Sequence, residues 1–312
     1  MKTHQGEAVM TARATARPLP LQKFEDDLVA TMWLGLDEGA EAIDSGHLIA
    51  ALTHHINGGG SRIRARLAHH CALQLMIEEP DALRLAALCE LLHSASLIHD
   101  DLSDHAQIRR EVPSVNHAFG EDTALCLGDL FISAAYAMAA RLERADLPLA
   151  ALLQLIHRAI TLTIHGQLSA SLSSSKPKLE HSIAAACAKT APLFSLALEL
   201  PLLVAGERKA QPLARRACEH FALAYQLLDD LDDYDDDMAL DPERGNGNLV
   251  RSFERELPGS AKEHATTLLH QCLGQASAEA DLLPHGIGGG LKSAVQQLAA
   301  TALHRTHQSA YA

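Results

Sequence analysis

The chain has few aromatic residues and few signs of β-structure. Phe, Trp and Tyr make up 4% of its 312 residues, whereas hydrophobic residues as a whole make up 47% and are dominated by alanine and leucine. No Asn-Gly hairpin separates alternating apolar runs, and no regular succession of short strands is visible, which argues against all-β and α/β folds. Because alanine and leucine are strong helix formers, the composition predicts an all-α protein.

Positive charge is also scarce. The chain has 26 Lys and Arg against 39 Asp and Glu, which gives a formal net charge of −13. A protein that binds nucleic acid needs a basic surface to meet the phosphate backbone, so nucleic acid is not the expected partner. The charge does not exclude a phosphorylated small molecule, because bound metal ions can supply positive charge locally.

Patterns typical of disulfide-rich, zinc-binding and secreted proteins are missing. The six cysteines include no C-x-x-C pair, as expected for buried, reduced thiols, and the nineteen histidines include no H-E-x-x-H motif. Residues 1–20 lack the apolar core of a secretory signal. The longest apolar run, Ala191–Gly206, is interrupted by Glu199 and Pro201 and is too short to span a bilayer. We therefore expect a cytoplasmic protein without a zinc site or a transmembrane segment.

The helical pattern favours a single domain after a short tail. Residues 1–20 are rich in Thr, Ala and Arg and contain two prolines, which predicts a loose N-terminal tail. Beyond them helical periodicity is interrupted mainly at Gly58–Gly60, at the polar connector His105–Pro113 and at the charged stretch Asp235–Asn248. About ten helices without strands predict one large all-helical bundle over residues 21–312.

Two aspartate clusters of the form Asp-Asp-x-x-Asp end mainly apolar helical runs. Residues i and i+4 lie on one face of a helix, so Asp100 and Asp104 of the first cluster project together, as do Asp229 and Asp233 of the second. Such stacked like charges cost a helix about 0.2–0.5 kcal/mol per pair. Carboxylate oxygens in an open arrangement suit Mg²⁺, which shares its shell with substrate phosphates. The pattern therefore predicts a diphosphate held through Mg²⁺ between two helices.

The surroundings of the clusters make this pattern specific. Further motifs follow one another in a fixed order: Gly59-Gly60-Ser61-Arg62-Ile63-Arg64, His93 with Leu97 to Asp104, Arg109-Arg110, Gly128-Asp129, Gly166-Gln167, Lys189-Thr190, and Gln226 with Asp229 to Asp233. With this ordered set the chain resembles the trans-isoprenyl diphosphate synthases, also called the polyprenyl synthetase family. The resemblance covers about residues 45–250.

This resemblance implies a fold, an activity and partners. Members of the family are all-helical bundles around a deep central cavity, the isoprenoid synthase type I fold, and are usually homodimers. They add isopentenyl diphosphate head-to-tail to an allylic diphosphate such as dimethylallyl, geranyl or farnesyl diphosphate. The resemblance therefore implies that this chain is a prenyltransferase of isoprenoid biosynthesis, with two diphosphate substrates and Mg²⁺, three ions in all.

The resemblance also implies roles for single residues. Lys189, Thr190 and Gln226 match residues near the ionising C–O bond, so they are the candidate catalytic residues, and Lys189 and Gln226 are also expected to bind substrate. Arg109 matches a contact of the allylic diphosphate. The residues expected at the isopentenyl diphosphate site are Arg62, Arg64, His93 and Arg110. The residues expected to bind metal are Asp100, Asp101, Asp104, Asp229, Asp230 and Asp233.

Three positions depart from the family pattern. Ser61 stands where the Gly-Gly-Lys-Arg-x-Arg loop has a lysine, and Glu111 follows Arg110 where glycine is common. The later Gly-Lys loop is replaced by Glu243–Asn248, in which Arg244 is the candidate substitute for the lysine. Because hydrogen bonds to charged groups are strong, the loss of one such contact lowers affinity about ten- to hundredfold.

The residues one helical turn before the first cluster bear on product length. Ser96 and Ala95 are small and lie about 6–7.5 Å along the helix from Asp100, where an aromatic side chain would stop a growing prenyl chain. Leu92, about 12 Å away, could form a lower floor. We therefore expect a C20, geranylgeranyl-type, or longer product, and a C15 product is the alternative.

Two other functions stay open. Ser61 and the missing late lysine are compatible with a terpene synthase-like enzyme that ionises a prenyl diphosphate without elongating it. A non-catalytic partner subunit of another prenyl synthase is the second alternative. The complete aspartate clusters argue against it, because a partner subunit has no need for Mg²⁺.

Overall fold

The computed structural model describes residues 21–36, 46–143, 146–171, 177–240 and 248–309, with the backbone alone at 170–171, 235–240 and 306–309. These residues confirm the predicted all-α fold. The helices are α1 (Leu21–Leu36), α2 (Gly46–Asn57), α3 (Ile63–Gln74), α4 (Glu79–Ser103), α5 (Val115–Phe119), α6 (Glu121–Ala140), α7 (Leu149–Ser171), α8 (Leu179–Val204), α9 (Gln211–Leu240), α10 (Leu249–Glu256), α11 (Ala261–Asp281) and α12 (Gly288–Ser309). The tail over residues 1–20 lies outside the described residues, and the single domain over 21–312 stays a prediction.

Helix α4, which carries the first aspartate cluster, is buried on most of its surface. It begins with Pro80 in its first turn, where the missing N–H has no intrahelical partner to lose. Leucines and alanines then face outward in almost every direction, and α1, α3, α6 and α8 pack around them. A helix that is apolar all round is stable only when neighbours cover it, so the sequence of α4 places it at the centre of the bundle.

Helix α8 lies between α7 and α9 and carries Lys189 and Thr190. Its second half is buried, and Phe194 stacks edge-on against Phe221 of α9 with ring centroids 5.1 Å apart. Gly166 of α7 lets the two backbones approach closely, since a Cβ there would lie 2.6 Å from the Cα of Lys189. Packing on both sides therefore fixes where α8 presents its polar side chains.

The connector predicted over His105–Pro113 contains a short antiparallel hairpin, with strands β1 (Ile108–Arg109) and β2 (Val112–Pro113). The two turn residues, Arg110 and Glu111, have φ values of 52° and 67°. Positive φ at both central positions is the geometry of a type I′ turn, which favours Gly, Asn or Asp. Glu111, where the family commonly has glycine, thus occupies a strained position.

The second aspartate helix is longer than predicted. The charged stretch Asp235–Asn248 was expected to be a loop, but the backbone of α9 continues as a helix to Leu240, so that expectation is wrong for residues 235–240. Arg244 and the neighbouring residues 243–247 lie outside the described residues. Asn248 ends the gap and caps α10, because its side chain accepts hydrogen bonds from the N–H groups of Val250 and Arg251.

Within the part of the chain that the structure describes, three helices are long and apolar enough, by length and composition alone, to cross a membrane: Glu121–Ala140, Leu149–Ser169 and Leu179–Val204. The sequence-based expectation that the apolar run Ala191–Gly206 is too short to span a bilayer covered only part of the helix Leu179–Val204. In that helix, 78% of the apolar window is buried within the protein, whereas for Leu149–Ser169 the buried share is 22%. The absence of a transmembrane segment therefore stays a prediction.

Candidate active site

The first aspartate cluster divides its carboxylates between two directions. Asp101 is 3% exposed and accepts hydrogen bonds from Arg109 of the hairpin, at 2.9 Å from Nε and 2.5 Å from Nη2. Asp100 points elsewhere, and its Oδ2 lies 3.2 Å from Nζ of Lys189 on α8. Asp104 is exposed at the end of α4. Asp100 and Asp104 are therefore the open pair, as the i, i+4 spacing predicts, while Asp101 positions Arg109.

The second cluster repeats this division. Asp230 is buried and accepts hydrogen bonds from Nε2 of Gln226 and the backbone N–H of Leu249, both at 2.8 Å. Its backbone carbonyl accepts one from Asn248. Asp229 and Asp233 are exposed. Asp230 thus ties the start of α10 to α9, whereas Asp229 and Asp233 form the open pair in the sense that both side chains are exposed to solvent.

Helix α8 connects the two clusters. Lys189 pairs with Asp100 of the first cluster, and the hydroxyl of Thr190 donates to Oε1 of Gln226 at 3.1 Å. Gln226 in turn donates to Asp230 of the second cluster. An ammonium in a mainly apolar helix is costly unless it is paired, and the ion pair with Asp100 gives Lys189 its anionic partner. The three predicted catalytic residues therefore form a polar path between the clusters, in which the backbone of α8 joins the contact of Lys189 to that of Thr190.

A buried basic region lies beside this path. The guanidinium of Arg64 stands 3.8 Å from the ring centroid of Phe194, and its Nη1 lies 3.2 Å from Nε2 of His93. The Nε of Arg64 is buried without a hydrogen-bond partner. Burial lowers the pKa of Arg64, and burial together with Arg64 lowers the pKa of His93 well below its usual value. His93 is therefore neutral, and the Arg64 charge is left without a directly bound anion.

Arg62, also expected at this site, has a different environment. Its Nη1 donates to Glu90 at 2.7 Å, its Nη2 donates to the carbonyl of Ile56 at 2.7 Å, and both charged side chains are less than one-tenth exposed. Removing one partner from a buried ion pair costs about 3–5 kcal/mol. These contacts give Arg62 a positioning role for the loop before α3, and substrate contact by Arg62 stays a prediction.

Arg110 lies against the glycine loop. It donates to the carbonyl of Gly59, and its guanidinium occupies the space that a Cβ of Gly60 would need, with Nη2 2.7 Å from that point. Gly60 has a φ of 133°, which L side chains rarely adopt. Burial, and then the nearby Arg62 and Arg109, lower the pKa of Arg110, with Glu90 opposing them. Because Gly59 and Gly60 have no side chains, the guanidinium of Arg110 can lie directly against the backbone of this loop.

A cavity of about 560 Å³ lies on another face of α3, between that helix, α1 and α12. Arg66, His70 and Gln297 line it together with apolar residues. None of the predicted site residues lines this cavity, so cavity volume alone does not mark the site. The polar path and the order of the motifs do not depend on it.

A model of the polyprenyl synthetase family matches residues 46–242, which is more than half of the chain. The chain belongs to this family. The matched range contains both aspartate clusters and the predicted catalytic residues. The resemblance deduced from the motif order is thus confirmed.

Two relatives illustrate which members of the family the chain resembles. The octaprenyl diphosphate synthase of Haemophilus influenzae is 30% identical over 182 residues, which cover 57% of this chain and 54% of that protein. The (2E,6E)-farnesyl diphosphate synthase of Mycobacterium bovis is 30% identical over 234 residues, which cover 70% and 63%. The chain thus spans less than two thirds of the length of these relatives.

Solved structures share the fold of this chain. The geranylgeranyl pyrophosphate synthetase of Geoglobus acetivorans has a TM-score of 0.73 at 17% identity and covers 89% of this chain and 98% of its own. A polyprenyl synthase of Caulobacter crescentus, complexed with calcium and isoprenyl diphosphate, has a TM-score of 0.71 at 22% identity, with coverages of 90% and 95%. At these identities the likeness supports the all-helical isoprenoid synthase fold.

The open carboxylates fit a divalent cation that is shared with a substrate. Among the described residues, no group of three His, Cys, Asp or Glu side chains is placed to hold a metal ion without other ligands. Mg²⁺ commonly takes one or two carboxylates and completes its shell with phosphate oxygens and water. Asp100 and Asp104 on one helix and Asp229 and Asp233 on the other would supply such carboxylates. Their role as metal ligands stays a prediction.

Asp229 should make the metal-free protein less stable as pH rises. Burial, followed by the charges of Asp230 and Asp233, raises the pKa of Asp229 from 3.8 to about 7, although the side chain itself reaches solvent. The native state then binds more protons than the unfolded chain between about pH 4 and 7, so the free energy of unfolding falls with pH across that window.

We expect Asp229→Asn to remove this dependence and, in EDTA at pH 7.5, to raise Tm by about 2–4 °C. That is the shift for roughly 1 kcal/mol, since solvent screens an exposed side chain. Thermal unfolding from pH 4.5 to 8 measures this pH dependence. Asp26→Asn, at an exposed side chain of α1, is the control. Parallel curves for wild type and variant would contradict the assignment.

Proposed function

We propose that the chain is a trans-prenyltransferase that condenses isopentenyl diphosphate with an allylic diphosphate. The contact of Lys189 with Asp100, continued by Thr190 and Gln226 toward Asp230, is the observation that carries this proposal. It places a cation and two amide or hydroxyl dipoles between two open carboxylate pairs. The relatives that are named as octaprenyl and farnesyl diphosphate synthases support the same reaction class.

The reaction begins when the C–O bond between the allylic carbon and its diphosphate breaks. Bound Mg²⁺, for which we propose three ions, would neutralise the leaving diphosphate. Lys189 and Arg109 add positive charge to the same anion, and charge that is positioned before the reaction stabilises the transition state most. Holding both substrates in one pocket also removes much of the entropic cost of their encounter.

The allylic cation that remains needs a dry pocket with oriented dipoles. Thr190 and Gln226 are half-buried, and their side-chain oxygens lie 3.1 Å apart on the path between the clusters. The alkene of isopentenyl diphosphate attacks the cation and forms the new C–C bond, and loss of a proton restores a double bond. We assign no protein base to this last step, because the released diphosphate is the family's usual candidate.

One incubation tests this proposal against its alternatives. The protein is mixed with Mg²⁺, radiolabelled isopentenyl diphosphate and allylic primers from C5 to C20. Longer prenyl diphosphates support elongation. Release of a hydrocarbon or alcohol without incorporation would indicate the terpene synthase-like activity that Ser61 and the replaced late lysine allow. No turnover with any primer would favour a partner subunit.

We propose a product of C20 or longer, because Ala95 and Ser96, one helical turn before Asp100, are both small. Ser96 lies one turn from Asp100 on the same face, and its hydroxyl donates only to the carbonyl of His93. Ala95 and Leu92 beside it are buried. A growing chain that follows α4 would therefore meet small side chains first.

Ser96→Phe is expected to shorten the main product by at least one five-carbon unit, because a ring would fill the space about 6 Å from Asp100. Chromatography of the dephosphorylated products measures this. Ser96→Ala is the matched control, since it removes the same hydroxyl without adding bulk, and its products should keep the wild-type length. Unchanged products from Ser96→Phe would show that the chain grows along another path.

We also propose that two copies associate through α7. This helix exposes several large apolar side chains: Leu149, Leu153, Leu162, Ile164 and Leu168. An apolar face of this kind is typical of an interaction surface. We also propose a cytoplasmic location and the absence of a transmembrane segment. Light scattering of the purified protein in buffer without detergent measures whether two copies associate.

A further inference from the structure

The region around Arg64 and Arg110 holds more positive charge than its acidic partners neutralise. Glu90 neutralises Arg62, and Asp101 neutralises Arg109. Arg64 and Arg110 have no carboxylate in ion-pair contact among the described residues. Two such guanidinium groups near one another favour the binding of an anion.

The loop residue that would face such an anion carries no charge. Ser61 is exposed and follows the two glycines, and Arg62 next to it turns into the protein toward Glu90. Neither residue therefore offers a free cation at the surface of the loop. Any additional donor has to come from another element.

His55, near the end of α2, lies in this region, because the carbonyl of the next residue, Ile56, accepts from Nη2 of Arg62 at 2.7 Å and that of Gly59 accepts from Arg110. The ring of His55 packs against Phe131 with centroids 5.4 Å apart, and its ring nitrogens form no hydrogen bond with any described residue. Burial, and then the charges of Arg110, Arg62 and Arg109, lower its pKa to about 3, so the ring is neutral and carries one N–H. His54 beside it differs, since its Nε2 is 2.7 Å from the carbonyl of Pro113.

His55 and His93 approach the same guanidinium groups from two helices. The charge of Arg110 and that of Arg62 act on both rings, and His55 also acts on His93. The remaining charged neighbours are Arg64 and Glu90. The region thus combines two unneutralised arginines with an imidazole whose donor is unused.

We propose that His55 donates a hydrogen bond to the diphosphate of isopentenyl diphosphate and so replaces the ammonium that is missing at Ser61. The inference rests on the proposed function, because it assigns the region of Arg64 and Arg110 to that substrate. His55 acts here as a binding residue and takes no part in bond breaking. The motif order gives no sign of it, since His55 lies before the glycine loop.

His55→Ala tests the inference by steady-state kinetics with each substrate varied in turn. We expect the KM for isopentenyl diphosphate to rise about 10- to 100-fold, as for the loss of one hydrogen bond to a charged group, with kcat and the KM for the allylic substrate nearly unchanged. His55→Gln keeps a donor and should retain most of the affinity. His54→Ala, at the neighbouring half-buried histidine, is the matched control and should leave both KM values unchanged.

Rescue separates binding from packing. Adding Ser61→Lys to His55→Ala should restore at least about tenfold of the lost affinity, because an ammonium then replaces the imidazole donor. A loss of packing against Phe131 would not be repaired from the loop, and it would lower Tm in both variants. Equal rises of both KM values, or failure of the rescue, would overturn the inference.

Direct titration distinguishes failure of the inference from failure of the proposed function. Isopentenyl diphosphate is titrated calorimetrically into the full-length wild type and into His55→Ala, without an allylic substrate. Weaker binding to the variant supports the role of His55. Equal binding to both proteins overturns that role and leaves the proposed function in place. No binding to the wild type, together with no elongation, overturns both.

Discussion

Replacing Asp100 with asparagine is expected to lower kcat by about 10²–10³-fold, the range found when one preorganised electrostatic contact to a transition state is removed. Asp100 is the open carboxylate of the first cluster and the partner of Lys189 at 3.2 Å. Burial raises its pKa and Lys189 opposes that shift, as expected for a largely buried carboxylate beside one cation. Its loss would remove a proposed metal ligand and leave Lys189 without its anion.

The measurement is steady-state elongation over a range of Mg²⁺ concentrations. Asp100→Asn should need more Mg²⁺ for half-maximal rate and should not reach the wild-type rate at saturation. Asp122→Asn, at an exposed carboxylate in the first turn of α6, is the control for the loss of one surface charge. A variant at position 100 with wild-type kcat and Mg²⁺ dependence would remove the first cluster from the mechanism.

Asp101→Asn, one residue away, should behave differently. Asp101 is buried against Arg109, so the change is expected to act mainly on the hairpin that presents Arg109 and Arg110. The contrast between adjacent aspartates separates a substrate-facing carboxylate from a positioning one. The same contrast applies to Asp229 and Asp230 in the second cluster.

The sequence predicted most helices and the open carboxylate pairs because both depend on local rules. Residues i and i+4 share a helix face wherever the helix lies, so Asp100 with Asp104 required no knowledge of tertiary contacts. The roles of Asp101 and Asp230 could not be obtained in this way. Arg109 reaches Asp101 through a hairpin turn, and Leu249 reaches Asp230 across 19 positions of chain.

Arg62 and His55 show a second kind of limit. The family motif makes Arg62 and Arg64 look equivalent, but only the fold places Glu90 within 2.7 Å of Arg62. His55 belongs to no motif, and its position among arginines results from the packing of α2 against Phe131 of α6. Features that depend on one buried partner far along the chain leave no regular spacing in the sequence.

Gly166→Ala is expected to destabilise the protein by at least about 1–3 kcal/mol, the usual cost of overpacking a core. The upper end is expected because the added methyl meets backbone atoms, which cannot move aside as a side chain can. The added methyl would lie inside van der Waals contact with the backbone of Ala188 and Lys189, and a rigid helix cannot relieve it by rotating a side chain. At roughly 2–4 °C per kcal/mol, Tm should fall by several degrees. Thermal unfolding of the variant measures this.

The same substitution should also reduce turnover, since the clash pushes α8 away from α7 at the residue that contacts Asp100. A displacement near 1 Å of a positioning group can cost about 10²-fold in rate. Gly274→Ala is the matched control: Gly274 lies inside α11 with nothing within 4 Å of the added methyl. There alanine should be neutral or stabilise the helix by up to about 1 kcal/mol. If Gly166→Ala keeps both Tm and kcat, Lys189 owes its position to contacts other than the close approach of α7, and the polar path between the clusters is less rigidly held than the packing of α8 implies.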